Sequence, residues 1–128
     1  MLSPTDHTGF RAAIARAGHP APLIRRADGQ VIPVNARGPL LGVMSDVDVP
    51  TESQHLTSGD ALVLFTDGLT EQPGTAQRHW GDEALRAVVQ GSGPRAAAIA
   101  DAVMEGMLEH SGGEPPRDDA AVLVVGVR

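Results

Sequence analysis

Gly59-Asp60-Ala61-Leu62-Val63-Leu64-Phe65-Thr66-Asp67-Gly68-Leu69-Thr70-Glu71 is the stretch on which the fold turns. Its centre, Ala61 to Phe65, is continuously apolar rather than alternating, which predicts a strand buried on both faces. Asp67 and Gly68 stand where that strand ends. A second continuous run, Ala120 to Val127, closes the chain and predicts another buried strand, opened by Asp118 and Asp119. If the two strands are antiparallel neighbours, the end of one lies beside the start of the other, and Asp67 and Asp118 meet at one sheet edge.

The rest of the chain supplies partners for these strands. Phe10 to Arg16 alternates with Phe10, Ala12 and Ile14 on one face, and reads as a strand. Ala21 to Arg26 and Gln30 to Asn35 flank Asp28-Gly29, a strong hairpin signal. Arg37 to Pro50 reads as a long loop and Glu52 to Leu56 as an edge strand. Gln72 to Trp80 reads as a polar loop. Asp82 to Gln90 is helical, with Asp82 as N-cap and Leu85, Val88 and Val89 on one face. Arg95 to His110 forms a second helix after Pro94, with Ile99, Val103 and Met107 as its core stripe and Gly112-Gly113 as its stop. The expected class is α+β, with a mainly antiparallel sheet and two consecutive helices before the last strand. Residues 1–9 read as a polar N-terminal tail and 10–128 as one domain.

Composition narrows the chemistry. The chain has 128 residues, a net charge of −6, 41% hydrophobic and 20% charged residues, and only Phe10, Phe65 and Trp80 as aromatics. Single-stranded nucleic acid wants aromatic stacking faces, and phosphate backbones want a basic one, so nucleic acid is not an expected partner. Cysteine is absent, which excludes disulfides, thiolate zinc sites and a cysteine nucleophile. No apolar run approaches the ~18 residues that span a bilayer, and the polar start lacks a signal-peptide core. A cytoplasmic protein with no membrane partner is expected.

Two carboxylates converging near an apolar core repel unless a cation neutralises them. Oxygen-only ligands point to Mg²⁺ or Mn²⁺, and Gly68 would let the backbone turn close to the ion. The plainer alternative is a strand-end Asp-Gly turn and a solvated strand terminus; spacing alone leaves both open.

Three stretches carry a resemblance. Residues 17–24, Ala-Gly-His-Pro-Ala-Pro-Leu-Ile, are followed by Gly-Pro-Leu-Leu-Gly-Val at 38–43; the other two are residues 59–71 and Asp-Asp-Ala-Ala-Val-Leu-Val-Val at 118–125. In order and spacing they resemble the stage II sporulation protein E-like branch of the PPM (type 2C-like) protein serine/threonine phosphatases. The resemblance implies part of an αββα sandwich holding two Mn²⁺ or Mg²⁺ ions at one end. It implies metal-binding, catalytic roles for Asp67 and Asp118, and a metal-activated water attacking a phosphoserine or phosphothreonine protein, such as an anti-sigma-factor antagonist. No enzyme nucleophile is then required, in keeping with the absence of Cys.

The sequence departs from that family in one respect. An N-terminal Asp-x-x-Gly-x-Gly motif with a metal-bridging aspartate is missing; Asp6-His7-Thr8-Gly9 lacks the second glycine. The chain therefore looks like the C-terminal half of the domain, either a fragment or the product of a truncated gene. The alternative function is a catalytically inactive pseudo-phosphatase or interaction module. Gly68, Asp119 and His19 are candidates for supporting positions around the ions: Gly68 as the turn, Asp119 orienting a water, His19 at the site's edge or simply in a turn. His7, His55, His79 and His110 are read as surface residues, and Arg25 and Arg26 as a solvated hairpin edge. With the N-terminal strands of the sandwich missing and the helices covering one side, the other sheet face is expected to lie exposed. Self-association and no appreciable phosphatase activity of the chain alone follow.

Overall fold

The computed structural model describes residues 2–4, 9–15, 20–34, 51–74 and 78–128. The strands are β1 (Leu2–Pro4), β2 (Phe10–Ala15), β3 (Leu23–Arg25), β4 (Val31–Pro33), β5 (Thr51–Leu56), β6 (Ala61–Phe65) and β7 (Val122–Gly126). The helices are α1 (Asp67–Thr70), α2 (Asp82–Gly91) and α3 (Ala96–His110). The strands form two antiparallel sheets, ordered β1-β2-β5 and β4-β3-β6-β7. The α+β class holds, with α2 and α3 consecutive before the last strand.

The continuous apolarity of 61–65 has its cause in the layering. Ala61 and Val63, with Leu23 of β3, face Leu85 and Val89 of α2 and Ile99, Val103 and Met107 of α3. Leu62 and Leu64, with Ile24, face Ala12 and Ile14 of β2 and Leu56 of β5. Helices, sheet and second sheet thus make three layers of an αββα sandwich. Ile99, Val103 and Met107 are fully buried, each worth about 1.5–3 kcal/mol by removal from water.

The hairpin at Asp28-Gly29 forms as the sequence predicts. Gly29 takes φ +96°, its amide donates to the Arg26 carbonyl (2.9 Å), and β3 and β4 pair with Ile24 opposite Ile32. Arg37 to Pro50 lies outside the described residues.

Four expectations change. The face opposite the helices is not left open: β1, β2 and β5 cover it, because short strands from this chain's own N-terminal part suffice to build a second sheet. Leu2–Pro4, inside the stretch read as a polar tail, pairs with β2, since a backbone ladder requires no apolar side chains. The last strand reaches both layers but is not buried throughout: β7 is the edge strand, with Val122 and Val124 packed toward the helices and Val125 and the following Val127 toward β2 and β5, while Leu123 stays 62% exposed. Finally, Asp82 is the first residue of α2 rather than its cap; the N-cap is Gly81 at φ +87°, whose amide donates to the Thr70 carbonyl (2.8 Å). Among the described residues no helix is long and apolar enough to cross a membrane.

Candidate functional site

The two strand-end aspartates are brought to one edge by the β6–β7 ladder. Phe65 pairs with Val122, and the Thr66 amide donates to the Ala121 carbonyl (3.1 Å). Beyond that point the Thr66 hydroxyl continues the ladder. It accepts from the Ala121 amide (3.0 Å) and donates to the Asp119 carbonyl (2.9 Å).

Gly68 then makes the closest approach. A Cβ built there would stand 2.2 Å from the Asp119 carbonyl oxygen and 3.2 Å from that of Asp118. Only a residue without a side chain lets these two backbone segments touch.

Asp67 opens the single-turn α1, where the sequence suggests only a turn, and its side chain is exposed. Asp118 is also exposed, and its Oδ1 accepts from the Asp119 amide (2.8 Å). Asp119 is exposed as well. The two site aspartates open on adjoining cavities. One, of about 540 Å³, is lined by Asp67, Leu23, Phe65 and Leu85; the other, of about 290 Å³, by Asp118, Arg117 and Gly68. Glu71 and His79 line both and form the wall between them.

The all-oxygen donors Asp67 and Asp118 suit a hard divalent ion rather than a soft one. They are a partial set. Among the described residues, no three His, Cys, Asp or Glu side chains cluster so as to hold a metal. His19 lies outside the described residues, as do 17–18 and 38–43.

Some neighbours of the candidate site escape the sequence. His79, read as a plain surface residue, is exposed but stands on the wall shared by both cavities, placed there by a bridge between Pro73 and His79. Nothing in its spacing signals this. Arg117 is more legible, being adjacent to Asp118 in the chain. Arg25 and Arg26 are not a solvated edge. Arg25 is 6% exposed, and its Nε donates to the Val89 carbonyl (2.9 Å) at the end of α2. Arg26 pairs with buried Asp60 (3.0 Å). Asp60 also accepts from the Thr57 and Ala27 amides (both 2.9 Å). Burial alone would raise the Asp60 carboxyl; the Thr57 amide, the Arg26 guanidinium and the Ala27 amide outweigh it and hold it below the usual carboxylate range.

Sequence comparison identifies the family. The family model for stage II sporulation protein E (SpoIIE) matches residues 1–128. The chain belongs to the SpoIIE family of PP2C-type phosphatase domains. Stage II sporulation protein E of Bacillus subtilis (strain 168) is 30% identical over 126 residues, covering 97% of this chain and 15% of that protein. Phosphoserine phosphatase RsbU of the same organism is 41% identical over 58 residues, 44% of this chain and 17% of that protein. The solved phosphatase domain of B. subtilis SpoIIE, from Mn-presoaked crystals, superposes with a TM-score of 0.71 at 28% identity. That match covers 93% of this chain and 51% of the solved one. The chain thus spans about half of the solved domain and a small part of its curated SpoIIE-family relatives.

Proposed function

We propose that this chain carries the Asp67–Asp118 edge of a metal-dependent protein serine/threonine phosphatase. The substrate class is a cytoplasmic regulator bearing phosphoserine or phosphothreonine, such as an anti-sigma-factor antagonist. The observation that supports it best is the backbone contact at Gly68, which holds two strand-end aspartates from distant parts of the chain at one edge.

Asp67 and Asp118 would hold Mn²⁺ or Mg²⁺, which when bound supplies Lewis acidity toward the phosphoryl group and lowers the pKa of water. The chain's own part is positional. Thr66 fixes the spacing of the two segments, Gly68 keeps them in contact, and Asp119 stands next to Asp118 where it can orient a water.

A second reading, an interaction module without catalysis, rests on Asp67 and Asp118 being a partial ligand set among the described residues. Calorimetric titration with Mn²⁺ tests the site. Weak binding that is lost in both Asp67→Asn and Asp118→Asn is expected; binding that survives both variants overturns the assignment. Hydrolysis of p-nitrophenyl phosphate separates the two readings, because Asp118-dependent turnover by this chain discards the interaction module.

A further inference from the structure

The smaller cavity at this edge has a feature that neither aspartate accounts for. Besides Asp118 it is lined by Arg117 and His79, in a protein whose net charge is −6. Overall charge of that sign repels a phosphorylated partner, so local cationic and donor groups must supply any attraction. Among the described residues, neither the Arg117 guanidinium nor the His79 ring has a hydrogen bond or ion pair within the chain. Both are exposed and both line the same cavity of about 290 Å³, near the lower end of the ~300 Å³ at which small-molecule sites begin.

Their placement is fixed by one buried residue. Gln72 is 2% exposed. Its side-chain Oε1 accepts from the Arg117 amide (3.2 Å), and its Nε2 donates to the Pro115 carbonyl (3.4 Å). Its own carbonyl accepts from the Trp80 amide (3.0 Å), next to His79. A single buried amide side chain and its backbone thus tie together the two loops that carry these two donors.

We propose that this cavity is the phosphoryl-binding subsite, with Arg117 and His79 as the groups that contact the phosphate and Gln72 as the residue that positions them. The substrate class rests on the phosphatase reading above. Arg offers a planar fork matched to phosphate oxygens, and the imidazole adds a further N–H donor. Glu71 and Asp118 on the same walls oppose a free anion, so the phosphate is admitted together with a divalent cation rather than alone.

The test is a ¹⁵N-NMR titration of this chain with a phosphoserine peptide in the presence of Mg²⁺, with the unphosphorylated peptide in parallel. Amide shifts are expected at Gln72, Gly74, 78–80 and 117–119 with the phosphopeptide only. Arg117→Ala should weaken binding about tenfold, the scale of a lost charge-assisted hydrogen bond at an exposed site. Arg117→Lys should recover part of that loss, and His79→Gln should cost about threefold. Gln72→Met, which keeps the side chain's bulk without its hydrogen bonds, should weaken binding in the same direction although it touches no phosphate, and should move the Arg117 amide resonance of the free chain. Shifts confined to other segments, equal binding of the unphosphorylated peptide, or unchanged affinity in Arg117→Ala would overturn the subsite. Failure of the phosphatase reading shows up separately, as Mn²⁺ binding indifferent to Asp67 and Asp118.

Discussion

Replacing Gly68 by alanine is the sharpest test of how the aspartate edge is built. The new Cβ would stand 2.2 Å from the Asp119 carbonyl oxygen and 2.8 Å from its carbon, whereas ordinary contact begins at 3.4 Å. The opposing backbone must retreat by about 1.2 Å, since a carbonyl cannot swing aside as a flexible side chain can. That backbone is held by the Thr66 hydroxyl through bonds of 2.9 and 3.0 Å, which a shift of this size breaks. Each lost bond costs about 0.5–1.5 kcal/mol, and displacement of β7 adds to it, giving a destabilisation of about 2–4 kcal/mol. Against a total stability of about 5–15 kcal/mol this is readily measured. Urea unfolding followed by the fluorescence of Trp80, buried at 8% exposure, reads it. Gly91→Ala is the control: Gly91 ends α2 with nothing within 4 Å of its would-be Cβ, so no loss is expected. Any Mn²⁺ binding should fall together with stability in Gly68→Ala. If that variant unfolds at the same urea concentration as the parent, the backbone contact does not exist and the juxtaposition of Asp67 and Asp118 fails with it.

Other outcomes follow from the same structure. Asp60 has a folded-state pKa below its ordinary value, so its stabilising contribution is fully present above the ordinary carboxylate range and is lost as pH falls through the lower folded value. Asp60→Ala should remove that part of the acid limb in pH-dependent unfolding and destabilise the chain by about 3 kcal/mol at neutral pH, because it leaves the Thr57 and Ala27 amides without their carboxylate and Arg26 with the His55 carbonyl but no counter-charge. Met107→Ala, at a fully buried position against the sheet, should cost about 2–5 kcal/mol in the same denaturant assay. Leu123→Lys, on the exposed face of the edge strand, should reduce concentration-dependent light scattering with little change in stability; unchanged scattering would rule out that strand as the self-association surface.

The parts of this fold that were legible in the sequence are those whose signal is local. Asp28-Gly29 announces its hairpin because a positive-φ turn selects glycine there. Ile99, Val103 and Met107 announce a helix face because their spacing repeats with the helical turn. The meeting of the backbone segments that carry Asp67 and Asp118 could be anticipated because one follows and the other precedes a continuous apolar run. What escaped depends on tertiary neighbours. Ala120 to Val127 reads as a doubly buried strand, yet its strand lies at the sheet edge and Leu123 stays exposed although Val125 and Val127 reach the second sheet, because composition cannot distinguish a central strand from an edge strand. Arg25 reads as a surface charge because no local pattern reveals that the end of α2 will present the Val89 carbonyl to it. His79 owes its place to a bridge with Pro73 across a loop, which spacing does not encode.

The Thr66–Asp119 bond joins residues 53 positions apart, and everything between them must be laid down before it can close. A chain emerging N-terminus first from the ribosome exposes Asp67 long before Asp118 exists beside it, and the flank of β6 stays unzipped in the interval. The aspartate edge therefore comes into being only once β7 has been made and docks beside β6. Until β7 docks, the two aspartates have no common edge, and their juxtaposition reports that β6 has found its partner.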